Sequence, residues 1–117
     1  MGFIDLDGAR IRVEERGSGP AVLFVHGWGA SWRFFEPAML RLASARRCVA
    51  IDWKGMGDSD KPDADYRMDV FAVEARRIAD RLRLDRFVLV GHSMGGMVSA
   101  LFATLHPQRL IGLGLVN

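Results

Sequence analysis

Four short apolar runs punctuate the chain: Ala21-Val22-Leu23-Phe24-Val25, Cys48-Val49-Ala50-Ile51, Phe87-Val88-Leu89-Val90 and Ile111-Gly112-Leu113-Gly114-Leu115-Val116. A strand with one wet face alternates polar and apolar residues, whereas a strand covered on both faces does not. Runs of the second kind, separated by segments of helical periodicity, restrict the chain to parallel strands joined by right-handed helical crossovers. The fold class is therefore α/β. None of the runs approaches the roughly 20 residues that span a bilayer, so no membrane segment is expected.

The intervening segments supply the helices. Asp69 is placed to cap the clearest one, running to about Leu84, with Phe71, Ala75, Ile78 and Leu82 on one face. Glu74, Arg76, Arg77, Asp80 and Arg81 are left for its solvated face. A second helix is expected from a Ser31 cap to about Ala45, with Pro37 tolerable only in an early turn. A third runs from Val98 to His106, where Pro107 stops it. At the start, Phe3–Leu6 and Ala9–Glu15 read as a hairpin about Asp7-Gly8, with Arg10, Arg12 and Glu14 opposite Ile11 and Val13. A polar, glycine-bearing loop is expected from Trp53 to about Arg67. The result is a three-layer domain over residues 1–117, with a mostly parallel sheet of about six strands flanked by helices.

Composition narrows the function. Of the 117 residues 50% are hydrophobic and 26% charged, which suits a globular domain rather than a disordered one. The balance of 16 Lys and Arg against 14 Asp and Glu is near neutral and dispersed, which excludes a basic nucleic-acid face. The single cysteine, Cys48, cannot form an intramolecular disulfide and reads as a small buried apolar residue. The first residues carry acids rather than an apolar signal core, and Leu6 stands where a myristoylation signal needs Ser or Thr. A soluble, cytoplasmic protein is the expectation. No His-Glu-x-x-His spacing implies a metal, and neither Gly55-x-Gly57 nor Gly112-x-Gly114 completes a dinucleotide fingerprint, so no cofactor is expected.

The chemistry concentrates at Gly91-His92-Ser93-Met94-Gly95-Gly96, between an apolar strand and a helix. This G-x-S-x-G pattern places a serine on a tight strand-to-helix turn. Gly91 and Gly95 remove Cβ atoms that would collide in so sharp a bend. The Ser93 hydroxyl would project above a helix N-terminus, whose free N–H groups suit a developing oxyanion. A second motif, His26-Gly27-Trp28-Gly29, follows the strand ending at Val25, where another oxyanion donor is expected. The backbone N–H groups of Trp28 and Met94 are the candidate pair.

Taken together, the hairpin, Val25-His26-Gly27-Trp28-Gly29, Asp52-Trp53-Lys54-Gly55-Met56-Gly57-Asp58-Ser59 and Val90-Gly91-His92-Ser93-Met94-Gly95-Gly96 resemble the N-terminal part of the α/β-hydrolase fold superfamily, in its esterase, cofactor-free haloperoxidase and C–C hydrolase branch. The resemblance implies a serine nucleophile attacking an acyl carbon, with a small carboxylic ester as substrate. It also implies a triad in the order serine, acid, histidine. Only one strand follows Ser93, so the family's last strands, its cap and the loops bearing acid and base lie outside the sequence. The resemblance makes His26 structural, beside the oxyanion loop, and turns His92 away from the nucleophile. His106, near the far end of the helix, is almost 20 Å off at 1.5 Å per residue. Weak activity is therefore expected of the chain alone.

Other residues have simpler readings. The resemblance assigns Asp52 to a structural loop. Asp58, Ser59 and Asp60 are expected to hold the Gly55–Gly57 loop through local hydrogen bonds. Trp28, Trp32, Phe34 and Phe35 either line an acyl pocket or pack the first helix on the sheet. Strand Ile111–Val116 would be a bare apolar edge, a template on which two copies could pair as a dimer. A non-catalytic module that self-assembles through this strand is the alternative reading.

Overall fold

In a computed structural model, which describes residues 2–117, six strands form one sheet in the order β1-β2-β4-β3-β5-β6. These are β1 (Gly2–Leu6), β2 (Ala9–Arg16), β3 (Ala21–Val25), β4 (Arg47–Ile51), β5 (Phe87–His92) and β6 (Leu110–Val116). The β1–β2 hairpin is antiparallel and joins β4 antiparallel, while β3, β4, β5 and β6 pair in parallel. Helices α1 (Glu36–Leu42), α2 (Met68–Arg81) and α3 (Met94–Leu105) make the crossovers.

The central strands are buried on both faces because each face has its own core. One cluster packs Leu23, Val25, Ile51 and Leu89 against Phe71 and Ile78 of α2 and Val98 and Phe102 of α3. The other packs Val22, Phe24, Cys48 and Ala50 against Trp32, Phe35 and Met39. Every residue of β3 is buried, which is why its sequence shows no polar alternation. Cys48 is fully buried, and that burial pushes its thiol pKa up.

Local structure departs from the sequence expectations at several points. The segment after Ser31 opens as a 3-10 turn, Trp32–Phe35, and becomes α-helical only from Glu36 to Leu42, short of Ala45. Pro37, in the first turn of α1, has no N–H to donate to the carbonyl four residues back, so the α-helical pattern starts only at Glu36. Ser31 does cap, accepting the Arg33 N–H of the 3-10 turn at 3.3 Å. Asp69 does not cap α2. Arg67 is the extended residue ahead of the helix, and Asp69 sits in the first turn, where its carboxylate accepts from the Val70 N–H and pairs with Arg67. A negative charge there still complements the helix dipole. Helix α3 starts at Met94, directly after Ser93, rather than at Val98.

Three charged residues are covered. Glu74 is buried and ion-paired with Lys54 of the loop after β4. Arg12 and Glu14 are likewise buried. The Arg12 guanidinium donates to Glu14 at 2.9 Å and lies 5.4 Å over the Trp32 ring, because the 3-10 turn folds across the outer face of β2. Alternation alone separates that face from Ile11 and Val13 and does not show what lies over it. The covering segment comes from more than 15 residues later.

Helix α2 ends at Arg81 instead of Leu84, through a Schellman closure. The Leu84 N–H donates to Ala79 O at 2.8 Å and the Arg83 N–H to Asp80 O at 3.1 Å, while Leu84 drops into the core. Arg83 takes the left-handed conformation that this closure needs, at φ 58°, a position that usually belongs to glycine. Replacing Arg83 with Gly should therefore raise stability by about 1 kcal/mol, the cost of left-handed backbone in a residue with a Cβ. A rise in the urea midpoint at unchanged slope would show it.

Candidate functional site

Strand β5 runs straight into α3 through Ser93, whose backbone sits at φ 55° and ψ −118°. That conformation is strained for a residue with a Cβ. Its surroundings hold it in place. The Ser93 N–H donates to Val116 O of β6 at 3.0 Å, and the Ser93 carbonyl accepts from Gly96 and Met97, at 2.9 and 3.1 Å. The turn closes only without side chains at two positions. A Cβ on Gly91 would lie 2.3 Å from Gly95 O, and one on Gly95 would lie 2.4 Å from Val25 O and 2.5 Å from His26 O. The first turn of α3 thus rests directly on the backbone at the end of β3.

That contact brings the two motifs together. A Cβ on Gly27 would lie 3.1 Å from the Ser93 Cβ, so the His26–Gly29 loop passes immediately beside the serine. Gly96 is buried behind the turn, and Gly29 turns the loop at φ 74°. Met94 is the first residue of α3, so its amide has no acceptor within the helix. Trp28 follows Gly27 with its indole 64% exposed. Ser93 is also exposed, at the mouth of a cleft of about 510 Å³ shared with Gly96, Met97, Ala100, Leu115 and Val116.

The histidines are placed differently. His26 is fully buried and spends both ring nitrogens on the loop. Its Nε2 accepts the Trp53 N–H at 3.1 Å, so Nδ1 carries the proton and donates to Gly27 O at 2.7 Å. The Trp53 indole N–H donates back to His26 O at 2.8 Å. Burial is the main influence on this ring and lowers its pKa, outweighing the Gly27 hydrogen bond and the nearby Asp52. His92 stacks on Phe34, with ring centres 3.9 Å apart, and its buried Nδ1 has no hydrogen-bond partner. His106 caps the far end of α3, thirteen residues from Ser93, against Phe102.

Asp52 is fully buried and its two carboxylate oxygens are occupied. One accepts the Trp32 N–H at 2.7 Å and the other the Asp58 N–H at 2.8 Å. Ser59 donates to Asp52 O and accepts the Arg12 N–H, and Asp60 accepts the Arg10 N–H. The contacts of Ser59 and Asp60 reach across to β2, so they tie the loop to the hairpin instead of bracing it only locally. Gly57, at φ 55°, lies so close to Asp52 that a Cβ would meet its carboxylate at 2.2 Å. Of the four aromatic residues, Trp32 and Phe35 are core, Phe34 flanks His92, and Trp28 faces a separate slot below the His26–Gly29 loop. Sequence reasoning passed over Tyr66 and Lys61 around that slot, because no motif marks them, and read Phe71 only as part of the apolar face of α2. Among the described residues, no cluster of three or more His, Cys, Asp or Glu could hold a metal, and no helix is long and apolar enough to cross a membrane.

A strained serine between a parallel strand and a helix, with a glycine loop beside it, is the arrangement found in alpha/beta hydrolases. The model of that family, the alpha/beta hydrolase fold, matches residues 20–117, and the chain belongs to it. Among its relatives, 2-(acetamidomethylene)succinate hydrolase of Mesorhizobium japonicum is 36% identical over 105 residues, covering 90% of this chain and 38% of that protein. A 2-hydroxymuconate semialdehyde hydrolase of a Pseudomonas species is 35% identical, over 94% of this chain and 40% of its own. Among solved structures, a membrane phospholipase A described as a bacterial virulence factor superposes with a TM-score of 0.94 at 34% identity, over 97% of this chain and 37% of that one. The chain spans about two fifths of the length of these relatives.

The neutral, doubly hydrogen-bonded state of His26 carries a pH signature. An imidazolium would set an N–H against the Trp53 N–H, so the folded protein resists protonation there. The unfolded chain takes up a proton near pH 6.5, the ordinary histidine value. The unfolded state then binds more protons than the folded one, so stability falls as pH drops below about 6.5 and the loss levels off below the folded pKa. Urea midpoints at pH 7.5 and 5.5 should show this loss in the native sequence. In His26→Gln the slope should be shallower, on a lower baseline.

Proposed function

We propose that this chain is the nucleophile-bearing part of a serine hydrolase acting on small carboxylic esters. The observation that carries the reading is the strained backbone of Ser93 at the N-terminus of α3, one van der Waals contact from the Gly27 backbone. In the proposed reaction a base removes the Ser93 hydroxyl proton as Oγ bonds to the acyl carbon. The resulting oxyanion takes hydrogen bonds from the Trp28 and Met94 N–H groups. The carbonyl re-forms as the alcohol departs with a proton, and water then hydrolyses the acyl-enzyme. The two curated relatives described above are named as hydrolases, which supports the reaction class.

The base is the part that residues 1–117 supply poorly. His26 is committed to the oxyanion loop, His92 to Phe34, and His106 to the far end of α3. Loss of a cooperating triad costs about 10⁶ in turnover, leaving about 10³–10⁴ over water from oxyanion binding and positioning. Hydrolysis of p-nitrophenyl acetate by this chain should therefore be slow, and a fluorophosphonate probe should label Ser93 weakly or not at all. Rates of a complete enzyme, abolished by Ser93→Ala, would sink the missing-base argument.

A second reading is favoured by the surface of β6. Ile111, Leu113, Leu115 and Val116 are each at least 41% exposed, on a strand paired on one side only. Antiparallel pairing of two copies about Leu113 would set Ile111 opposite Leu115 on one face and Gly112 opposite Gly114 on the other. That match is self-complementary and would remove the bare edge from water. On this reading the chain assembles as a homodimer, with or without catalysis. Sedimentation at micromolar concentration should give a dimer, and Leu113→Lys, which sets two like charges face to face, should give a monomer.

A further inference from the structure

Below the oxyanion loop lies a slot of about 280 Å³ lined by Trp28, Gly55, Met56, Lys61, Pro62 and Tyr66. Its walls are two aromatic rings held by a common floor. The buried Phe71 ring is 6.4 Å from Trp28, edge-on, and 6.2 Å from Tyr66. Phe71 also packs at 5.0 Å on the buried Trp53, so the floor is continuous with the core. Tyr66 is fixed further by its hydroxyl, which donates to Pro62 O. Its ring can lie where it does only because residue 55 is glycine. A Cβ at Gly55, at φ 89°, would stand 2.6 Å from the Tyr66 ring.

Two features set this slot apart from ordinary loop packing. Trp28 is 64% exposed although the Phe71 ring lies beside it, so an aromatic face at the slot is open to a ligand. The polar group at the slot is a cation. The Lys61 ammonium donates to Gly57 O and to Ser59 O, at 3.2 Å for the latter, which leaves one of its three protons free. Among the described residues no carboxylate forms an ion pair with it. Of the nearby acids, Asp58 pairs with Arg12 and Arg33, Asp60 with Arg10, and Asp65 with Arg67.

We propose that the slot is a binding site for a small planar carboxylate, an aromatic or conjugated acid. Its flat body lies against Trp28 and Tyr66, and its carboxylate accepts from Lys61. Apolar walls and a single convergent cation are the pattern of a small-molecule site that fixes orientation through one polar contact. Trp28 also follows Gly27, which adjoins Ser93, so one wall of the slot belongs to the loop that passes beside the serine. This goes beyond the hydrolase reading, and the test is independent of it because it needs no turnover.

Benzoate, benzyl alcohol and acetate are titrated onto the full chain by saturation-transfer NMR and by quenching of tryptophan emission, in the native sequence and in Ser93→Ala. Benzoate should bind saturably and equally to both. It should bind about fivefold tighter than benzyl alcohol at low salt, the scale of one exposed ion pair, and the advantage should shrink as salt is added. Acetate, lacking a ring, should bind far more weakly. Lys61→Gln should bring benzoate down to benzyl alcohol and leave benzyl alcohol unchanged. Trp28→Ala, at an exposed position that leaves the fold intact by circular dichroism, should weaken both aromatic ligands about fivefold, the scale of a lost aromatic contact. Equal binding of benzoate and benzyl alcohol, an unaltered benzoate affinity in Lys61→Gln, or no saturable binding would each overturn the proposal. Slow ester hydrolysis that Ser93→Ala leaves unchanged would leave it untouched and count only against the hydrolase reading.

Discussion

The first turn of α3 rests on bare backbone at the end of β3, and the rest of the site depends on that approach. Gly95 touches the carbonyls of Val25 and His26, Gly91 touches Gly95, and Gly27 touches Ser93. Three side-chain-free positions on three different elements let a strand end, a loop and a helix start converge within van der Waals distance. Because helix and loop share that contact, the Met94 amide and the Trp28 loop flank one serine without further adjustment. The strain in Ser93 is sustained by neighbours that cannot relax, with Val116 of β6 holding its amide from the far side.

A second layer holds the loops that the glycines bring together. Asp52 reaches forward to the Trp32 turn and onward to Asp58, and His26 grips both its own loop and Trp53. These are buried, charge-bearing or titratable groups that do no chemistry in the proposed reaction. Their hydrogen bonds offset the cost of burial, and in return the ends of β3 and β4 are locked in register. The aromatic floor around Phe71 continues this scaffold to the slot beside Trp28. Ser93 and the slot therefore rest on one rigid support.

Much of this was legible in the residues. The apolar runs gave the strands almost to the residue, and the Gly-x-Ser-x-Gly turn gave the position of the serine, because both signals are local. Helix starts were less legible. Asp69 looked like a cap, yet the extended residue is Arg67, and Pro37 delayed α1 behind a 3-10 turn. Covered polar faces were not legible at all. Glu74, Arg12 and Glu14 fit an amphipathic pattern with solvent on the outside, and they are buried because distant segments fold over them. The slot around Tyr66 and Lys61 was invisible for the same reason, since its walls come from two loops separated in the sequence.

By itself the sequence determined the fold class, the serine and its two flanking glycine motifs, since strand patterning and tight turns are properties of a few consecutive residues. It also set His106 at the far end of a helix from the serine, by its distance along the chain. Tertiary structure decided which polar groups are buried, which tautomer His26 holds, and that Asp52, Ser59 and Asp60 bind the hairpin and the first crossover. It also set an unpaired lysine beside two aromatic rings. Those outcomes depend on which segments meet across the sheet, and no short window of sequence carries that information.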